Sequence, residues 1–302
     1  LFIGYLTFLF ICTVIILTSL YNDTTNSMSE WVINYQGGFS RRGFLGEIIF
    51  QLSLIFDFEL RKGFLFLQIL SYFLYFLLIY KFFKNIEGKY LFFLAIFSPI
   101  FFFFSLAELE ALGRKDIYMF VIFLGNLLIY EKYKNLNLNY LYFIITFPIM
   151  FLTHEIYIIY VPYFVCFLIL FEDRIEYKEI IKIFLLLIFI FFFIYLINSI
   201  EFTSKNLDKL CENLLSKKNE ECGLAPYSMV IDLAKYRSEV AWKFHHIFRY
   251  FLFFLIGSGS LILLIFFSKF KLDTNNFFLK KIDLRLIMVI IFLPSILPFI
   301  SA

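Results

Sequence analysis

Residues 92–104 read FFLAIFSPIFFFF, apolar on every face. A membrane β-strand would alternate polar and apolar residues with a period of two, because one side meets lipid and the other the barrel interior. This run does not alternate. In a bilayer only a helix satisfies every backbone group within such a segment. Working outward, the same texture recurs at roughly 1–20, 63–83, 90–106, 117–130, 140–153, 156–171, 181–200, 247–268 and 286–300. Many of these runs approach the roughly 20 residues that cover a ~30 Å hydrocarbon core. The expectation is an all-α fold, a polytopic transmembrane helical bundle of about nine spans forming a single domain over 1–302. Whole-chain composition agrees. Hydrophobic residues make up 62% and the mean hydropathy is +0.84, against roughly 45–50% apolar in a soluble domain. The 47 Phe residues read as a choice within an apolar alphabet. The chain starts at Leu1, not Met, and stops at Ala302 inside an apolar run, so it reads as a fragment at both ends.

Net charge is +3, but position matters more than the sum. Basic residues gather in four connections: Lys81, Lys84 and Lys89; Lys132 and Lys134; Arg174, Lys178 and Lys182; and Lys269, Lys271, Lys280, Lys281 and Arg285. If the helices alternate, all four lie on one side, and the positive-inside rule makes that side the cytoplasm. The segments 21–62, 107–116, 154–155 and 201–246 then face outward. A single helix over 140–171 would extend ~48 Å. It would also carry His154 and Glu155 to mid-membrane, at about 3 kcal/mol per charged residue. A turn at Thr153-His154-Glu155 avoids both, so two short helices are expected there.

Cys12 and Cys166 lie in apolar runs and read as packing residues. Cys211 and Cys222 share the external 201–246 loop, where an oxidising compartment favours a disulfide. No metal site is expected, because the sequence has no C-x-x-C pair. No Walker motif, GxGxxG or His-Glu-x-x-His appears either, and no cofactor is expected. Internal repeats and a cleavable signal peptide are not evident.

The polar residues that need explaining cluster on the external side. The 21–62 loop ends in FLGEIIFQLSLIF at 44–56, too short to span, with Glu47 and Gln51 one turn apart. That pattern predicts an amphipathic helix lying in the interface after the first span. Just before it stands Gly37-Gly38-Phe39-Ser40-Arg41-Arg42-Gly43. Glycines let a backbone approach a ligand, a helix start favours an anion, and paired arginines grip phosphate. The alternative is an interfacial turn with snorkelling arginines. The next cluster, AELEALGRKDIY at 107–118, holds Glu108, Glu110, Arg114, Lys115 and Asp116 between two apolar runs. The following run has about 14 apolar residues, or ~21 Å of helix. Such a helix crosses only if its end is recessed, and charges so placed usually face a cavity. The plainer reading is a solvated loop with Glu110 and Arg114 paired at i,i+4. At Thr153-His154-Glu155, the imidazole is either a packed polar group or a proton acceptor near neutral pH. In 201–246, Lys205, Lys209, Lys217 and Lys218 read as a solvated face. Arg237, Glu239, Trp242, His245 and His246 follow, and the adjacent histidines diverge on a helix.

The layout resembles the polytopic polysaccharide polymerases, the O-antigen and exopolysaccharide type, which are similar in style to membrane glycosyltransferases of the GT-C class. Arg114-Lys115-Asp116 opens one span, and His154-Glu155 precedes Ile156-Tyr157-Ile158-Ile159-Tyr160-Val161-Pro162, as an Arg-Gln motif and a His before a Pro-containing helix do in that family. Lys115 stands where the family has Gln, and Glu155 where it has a small hydroxyl residue. The first loop lacks Asp-x-Asp, so the mechanism expected is metal-independent. The resemblance implies glycosyl transfer from a polyprenyl-diphosphate-linked glycan at the outer face of the bacterial cytoplasmic membrane, in surface polysaccharide assembly. Arg41, Arg42 and Arg114 would hold the diphosphate, with Lys115, Glu108, Glu110 and Asp116 completing the substrate site. His154 or Glu155 would accept the proton. Expected partners are that glycan and membrane lipid, with no nucleic acid. A transporter or flippase for a lipid-linked or anionic substrate is the second reading, since intramembrane His and Glu suit a proton relay. A structural or regulatory membrane subunit is the third.

Overall fold

A computed structural model describes residues 2–21, 26–83, 112–161, 164, 165, 168, 177–227, 229 and 230. All of these belong to one unit, Leu1–Lys84 with Glu110–Ile231. The expected spans at 90–106, 247–268 and 286–300, together with Glu108, Glu110, Cys166, Arg237, Glu239, Trp242, His245, His246 and the 269–285 connection, lie outside the described residues.

The described residues are helical, with no strand among them. The helices are α1 (Phe2–Ser19), α2 (Asn26–Val32), α3 (Phe44–Phe56), α4 (Leu60–Phe83), α5 (Ile117–Tyr133), α6 (Leu136–Thr153), α7 (Tyr177–Asn198), α8 (Ser204–Lys218) and α9 (Leu224–Tyr227). Among the described residues four helices are long and apolar enough to cross a membrane: α1, α4, α6 and α7. Their outward faces leave Ile15, Phe66, Phe191 and Tyr195 bare, the surface that lipid tails solvate without penalty. The chain thus carries the helices of a membrane protein. α5 has 17 residues, about 26 Å at 1.5 Å per residue.

Local signals set the helix ends. Lys134 adopts a left-handed φ of 50° and donates its N–H to Tyr130 O at 2.8 Å, closing α5. Asn135 then caps α6, its side chain accepting from Asn137 N at 2.9 Å. Those two residues make the whole turn of the α5–α6 hairpin. α6 stops at Thr153, where His154 is extended at φ −162° and ψ 121°. The helix expected at 156–171 begins differently, as a short 3-10 helix over Glu155–Tyr160. A 3-10 turn closes its bonds one residue sooner, which suits a chain reversing direction beside a helix end.

Two apolar clusters hold the unit. Phe143, Phe147, Phe151, Phe164 and Ile190 anchor the first, around α5, α6 and α7. Met28, Trp31, Phe50, Phe64, Leu210 and Leu214 build the second, over the first loop. The second includes the first part of the 201–246 segment, whose Lys205, Lys209 and Lys217 are exposed as expected. That part is α8, with Leu207, Leu210 and Leu214 buried along one edge. The glycine pair is explained by the same docking. A Cβ on Gly37 would lie 2.0 Å from Asn206 O, and one on Gly38 2.5 Å from Asn206 Nδ2. Asn206 Nδ2 donates to Gly37 O at 2.8 Å. The backbone at Gly37 approaches a helix of its own chain rather than a ligand. α3 forms over 44–56, and Gln51 Nε2 donates to Glu47 Oε1 at 2.6 Å across one turn. Its Ile48, Leu52, Ile55 and Phe56 form an exposed apolar stripe, while Ile49 and Phe50 face the core.

Candidate functional site

The site grows from the turn before α5. Gly113 has φ +80°, a conformation that costs a side-chain-bearing residue about 1–2 kcal/mol. Its carbonyl accepts from Trp31 Nε1 at 2.7 Å and Gln68 Nε2 at 3.0 Å, and its N–H donates to Tyr72 Oη at 3.2 Å. This three-way anchoring fixes the next three residues, Arg114, Lys115 and Asp116.

Lys115 is fully buried. Its ammonium donates to Arg42 O at 2.7 Å and lies 5.9 Å from the Trp31 ring centre. The Tyr157 hydroxyl donates to its carbonyl. Burial pulls the ammonium down to about 7, although the Glu30 carboxylate opposes that pull.

Arg42 grips Glu155. Its Nε lies 2.8 Å from both carboxylate oxygens and its Nη2 2.5 Å from Oε1. Burial disfavours both charges, but the paired hydrogen bonds outweigh it. They hold Glu155 down to about 2 and raise Arg42.

Arg114 reaches two acids, Glu30 through Nη2 at 3.4 Å and Asp116 through Nε at 3.4 Å. Glu30 is the residue that sequence reasoning missed. It sits on α2 and is 8% exposed. Its Oε1 is 3.9 Å from His154 Nε2, and His154 is itself buried. Its Oε2 has no protein hydrogen bond among the described residues, nor has Asp116 Oδ1. Burial would raise the Glu30 carboxyl, yet His154, Arg114 and Lys115 outweigh that and hold it below its ordinary value. The available signal was a lone acid placed directly before Trp31-Val32-Ile33.

Four segments, around residues 30, 42, 114–116 and 154–155, therefore meet in one polar centre. Three cations (Arg42, Arg114, Lys115) face three acids (Glu30, Asp116, Glu155) around His154. The structure ties Arg42, rather than Arg41, to Glu155; Arg41 is half-buried. Both Glu155 carboxylate oxygens are held by the Arg42 guanidinium, while Glu30 lies beside His154. Arg114 is the cation with the most exposed side chain among the cluster's ion pairs, at 35%. The centre can move a proton beside a guanidinium able to meet an anion.

Away from this centre, Cys211 and Cys222 are joined in a disulfide with Cα atoms 5.2 Å apart. No group of three or more His, Cys, Asp or Glu among the described residues is arranged to hold a metal ion. No family model, curated protein or solved structure matches the chain. The polymerase resemblance rests on the quoted motifs alone.

Proposed function

We propose that the chain is a membrane glycosyltransferase acting on polyprenyl-diphosphate-linked sugars in surface polysaccharide assembly. The observation that carries this reading is Glu30, a buried carboxylate whose Oε1 lies between Arg114 and His154 and whose Oε2 has no hydrogen bond among the described residues. In the reaction an acceptor hydroxyl attacks the anomeric carbon, and the bond from that carbon to the lipid diphosphate oxygen breaks. The hydroxyl proton passes to the Glu30–His154 pair. The charge arriving on the leaving diphosphate is met by Arg114, an electrostatic role that suits a site screened from water. Arg42, Lys115 and Glu155 hold the frame in which these groups stand. About nine spans, cytoplasmic Lys-rich connections and an outward-facing site belong to the same reading. The exposed stripe of α3 lies in the interface at the edge of the bacterial cytoplasmic membrane.

A transporter or flippase is the second reading, favoured by the charge balance of the centre, since buried acid–base clusters also relay protons. Purified protein in nanodiscs, supplied with lipid-linked oligosaccharide, separates the two. Lengthened glycan and released lipid diphosphate support the enzyme. Movement of a fluorescent lipid-linked sugar across a vesicle bilayer, without new glycosidic bonds, supports the flippase and ends the first reading.

A further inference from the structure

We infer that the Cys211–Cys222 disulfide is a clasp that positions Glu30, so that the proposed site is complete only while those sulfurs are bonded. The inference rests on the glycosyltransferase reading for its activity readout. Its structural core stands apart from that reading.

α8 is fastened to the first loop along its length. Besides its buried leucines and the Asn206 bond, Asn213 Nδ2 donates to Gln36 O at 3.3 Å and Lys218 Nζ to Ser53 O at 2.6 Å. The helix ends at Lys218, with Asn219 left-handed at φ 51°. The disulfide then brings the chain back to the middle of α8, closing an 11-residue separation. Within that loop Glu220 is buried and gripped by Arg61, whose Nε lies 2.8 and 2.9 Å from its two oxygens. Directly after the second sulfur, Gly223 lies against Ser29, where a Cβ would come within 2.6 Å of Ser29 Cβ. Two residues on, Ala225 N–H donates to Ser29 Oγ at 3.2 Å. Ser29 is the neighbour of Glu30 on α2.

The line from sulfur to carboxylate is therefore short: Cys222, Gly223, Ser29, Glu30. α2 has seven residues, too few to hold a helix without what packs on it. Its outer support is the segment that the disulfide ties down. A groove of about 470 Å³ borders the bond, lined by Cys211, Leu215, Glu220, Glu221, Cys222 and Tyr227. Reduction by a dithiol delivers two electrons and two protons, leaves two protein thiols, and converts the dithiol to its own disulfide. The segment over α2 then keeps only its non-covalent ties.

The test uses the full chain in nanodiscs with Trp242→Phe, which leaves Trp31 as the sole tryptophan of the two. Trp31 is fully buried beside Glu30, so its emission reports on α2. Treatment with dithiothreitol is followed by alkylation and intact mass, which must show two additional blocked thiols. The expected result is a red shift of Trp31 emission and roughly a tenfold or greater fall in kcat for lipid-linked sugar, because small misplacements of catalytic groups have effects of that order. KM should change little, and reoxidation should restore both signals. Ser29→Ala, which keeps the disulfide but loses the Ala225 bond, should show a weaker form of the same loss. Unchanged Trp31 emission in protein with both thiols free overturns the clasp. A shifted Trp31 with full turnover overturns its link to Glu30. A reversible Trp31 shift in a protein that never turns over lipid-linked sugar supports the clasp while ending the enzymatic reading.

Discussion

Arg42 and Glu155, 113 positions apart in the chain, meet in a bidentate ion pair in which Nε is 2.8 Å from both carboxylate oxygens. The contact engages Nε and Nη2 of Arg42 and both oxygens of Glu155. The pair joins the first loop to the end of α6 and fixes the wall of the polar centre.

Breaking that pair should destabilise the protein more than deleting it. Removing one partner of a buried pair costs about 3–5 kcal/mol. With 20% and 28% of these side chains exposed, the lower end applies. Glu155→Gln should lower the thermal midpoint in detergent, and Arg42→Met with Glu155→Leu should recover most of the loss. The pH dependence has a definite sign. The folded-state value of Glu155 is about 2 against an ordinary 4.5. Its contribution, about 3 kcal/mol, is whole above about pH 4.5 and is lost as pH falls toward 2. Midpoints of wild type and Glu155→Gln, compared from pH 6 to 3, should therefore converge as the solution is acidified, while the double variant changes little through this pair.

Glu30→Gln keeps the volume and removes the acceptor. Turnover should fall roughly 10²- to 10⁴-fold, the range of a positioned general base, while the thermal midpoint holds within a few degrees. Lipid-linked sugar assays in nanodiscs, paired with melting curves, check both. Wild-type turnover in a well-folded Glu30→Gln protein would remove Glu30 from the chemistry.

His154→Gln and Arg114→Lys separate proton transfer from charge stabilisation. His154→Gln should reduce kcat with substrate affinity retained. Arg114→Ala should cost about 1.5–3 kcal/mol of transition-state stabilisation, or about 10- to 150-fold. Arg114→Lys should recover little of it, since a point charge does not reproduce the guanidinium fork. Steady-state kinetics over substrate concentration give the split. Full activity in both His154→Gln and Arg114→Ala would place the site elsewhere.

Orientation is tested by single-cysteine labelling in a background lacking the native cysteines. An impermeant maleimide should reach an exposed position on α8, such as Ser216→Cys, from outside intact cells, and position 275 only after the membrane is opened. The reverse pattern inverts the topology.

Much of the helical framework was legible because a bilayer leaves apolar runs so few choices. The end of α6 at Thr153 followed from the charge of Glu155 and from helix length alone. α3 followed from its length and the Glu47–Gln51 step. What the sequence hid depends on distant neighbours. Glu30 acquires its meaning from Arg114 and His154, which lie far along the chain. Gly37 and Gly38 announced a close approach without saying that Asn206 makes it. α8 was masked by its lysines, although Leu207, Leu210 and Leu214 carried the spacing of a half-buried helix.

The contact between Gly37 and Asn206 also imposes an order of construction. The two residues are 169 positions apart, so the first loop leaves the ribosome long before its cover is synthesised. Several spans must be threaded into the bilayer in that interval, with Trp31 and the glycine turn still without the leucines of α8. A nascent chain arrested before residue 204 therefore holds an open first loop, and this part of the molecule is finished from its far end.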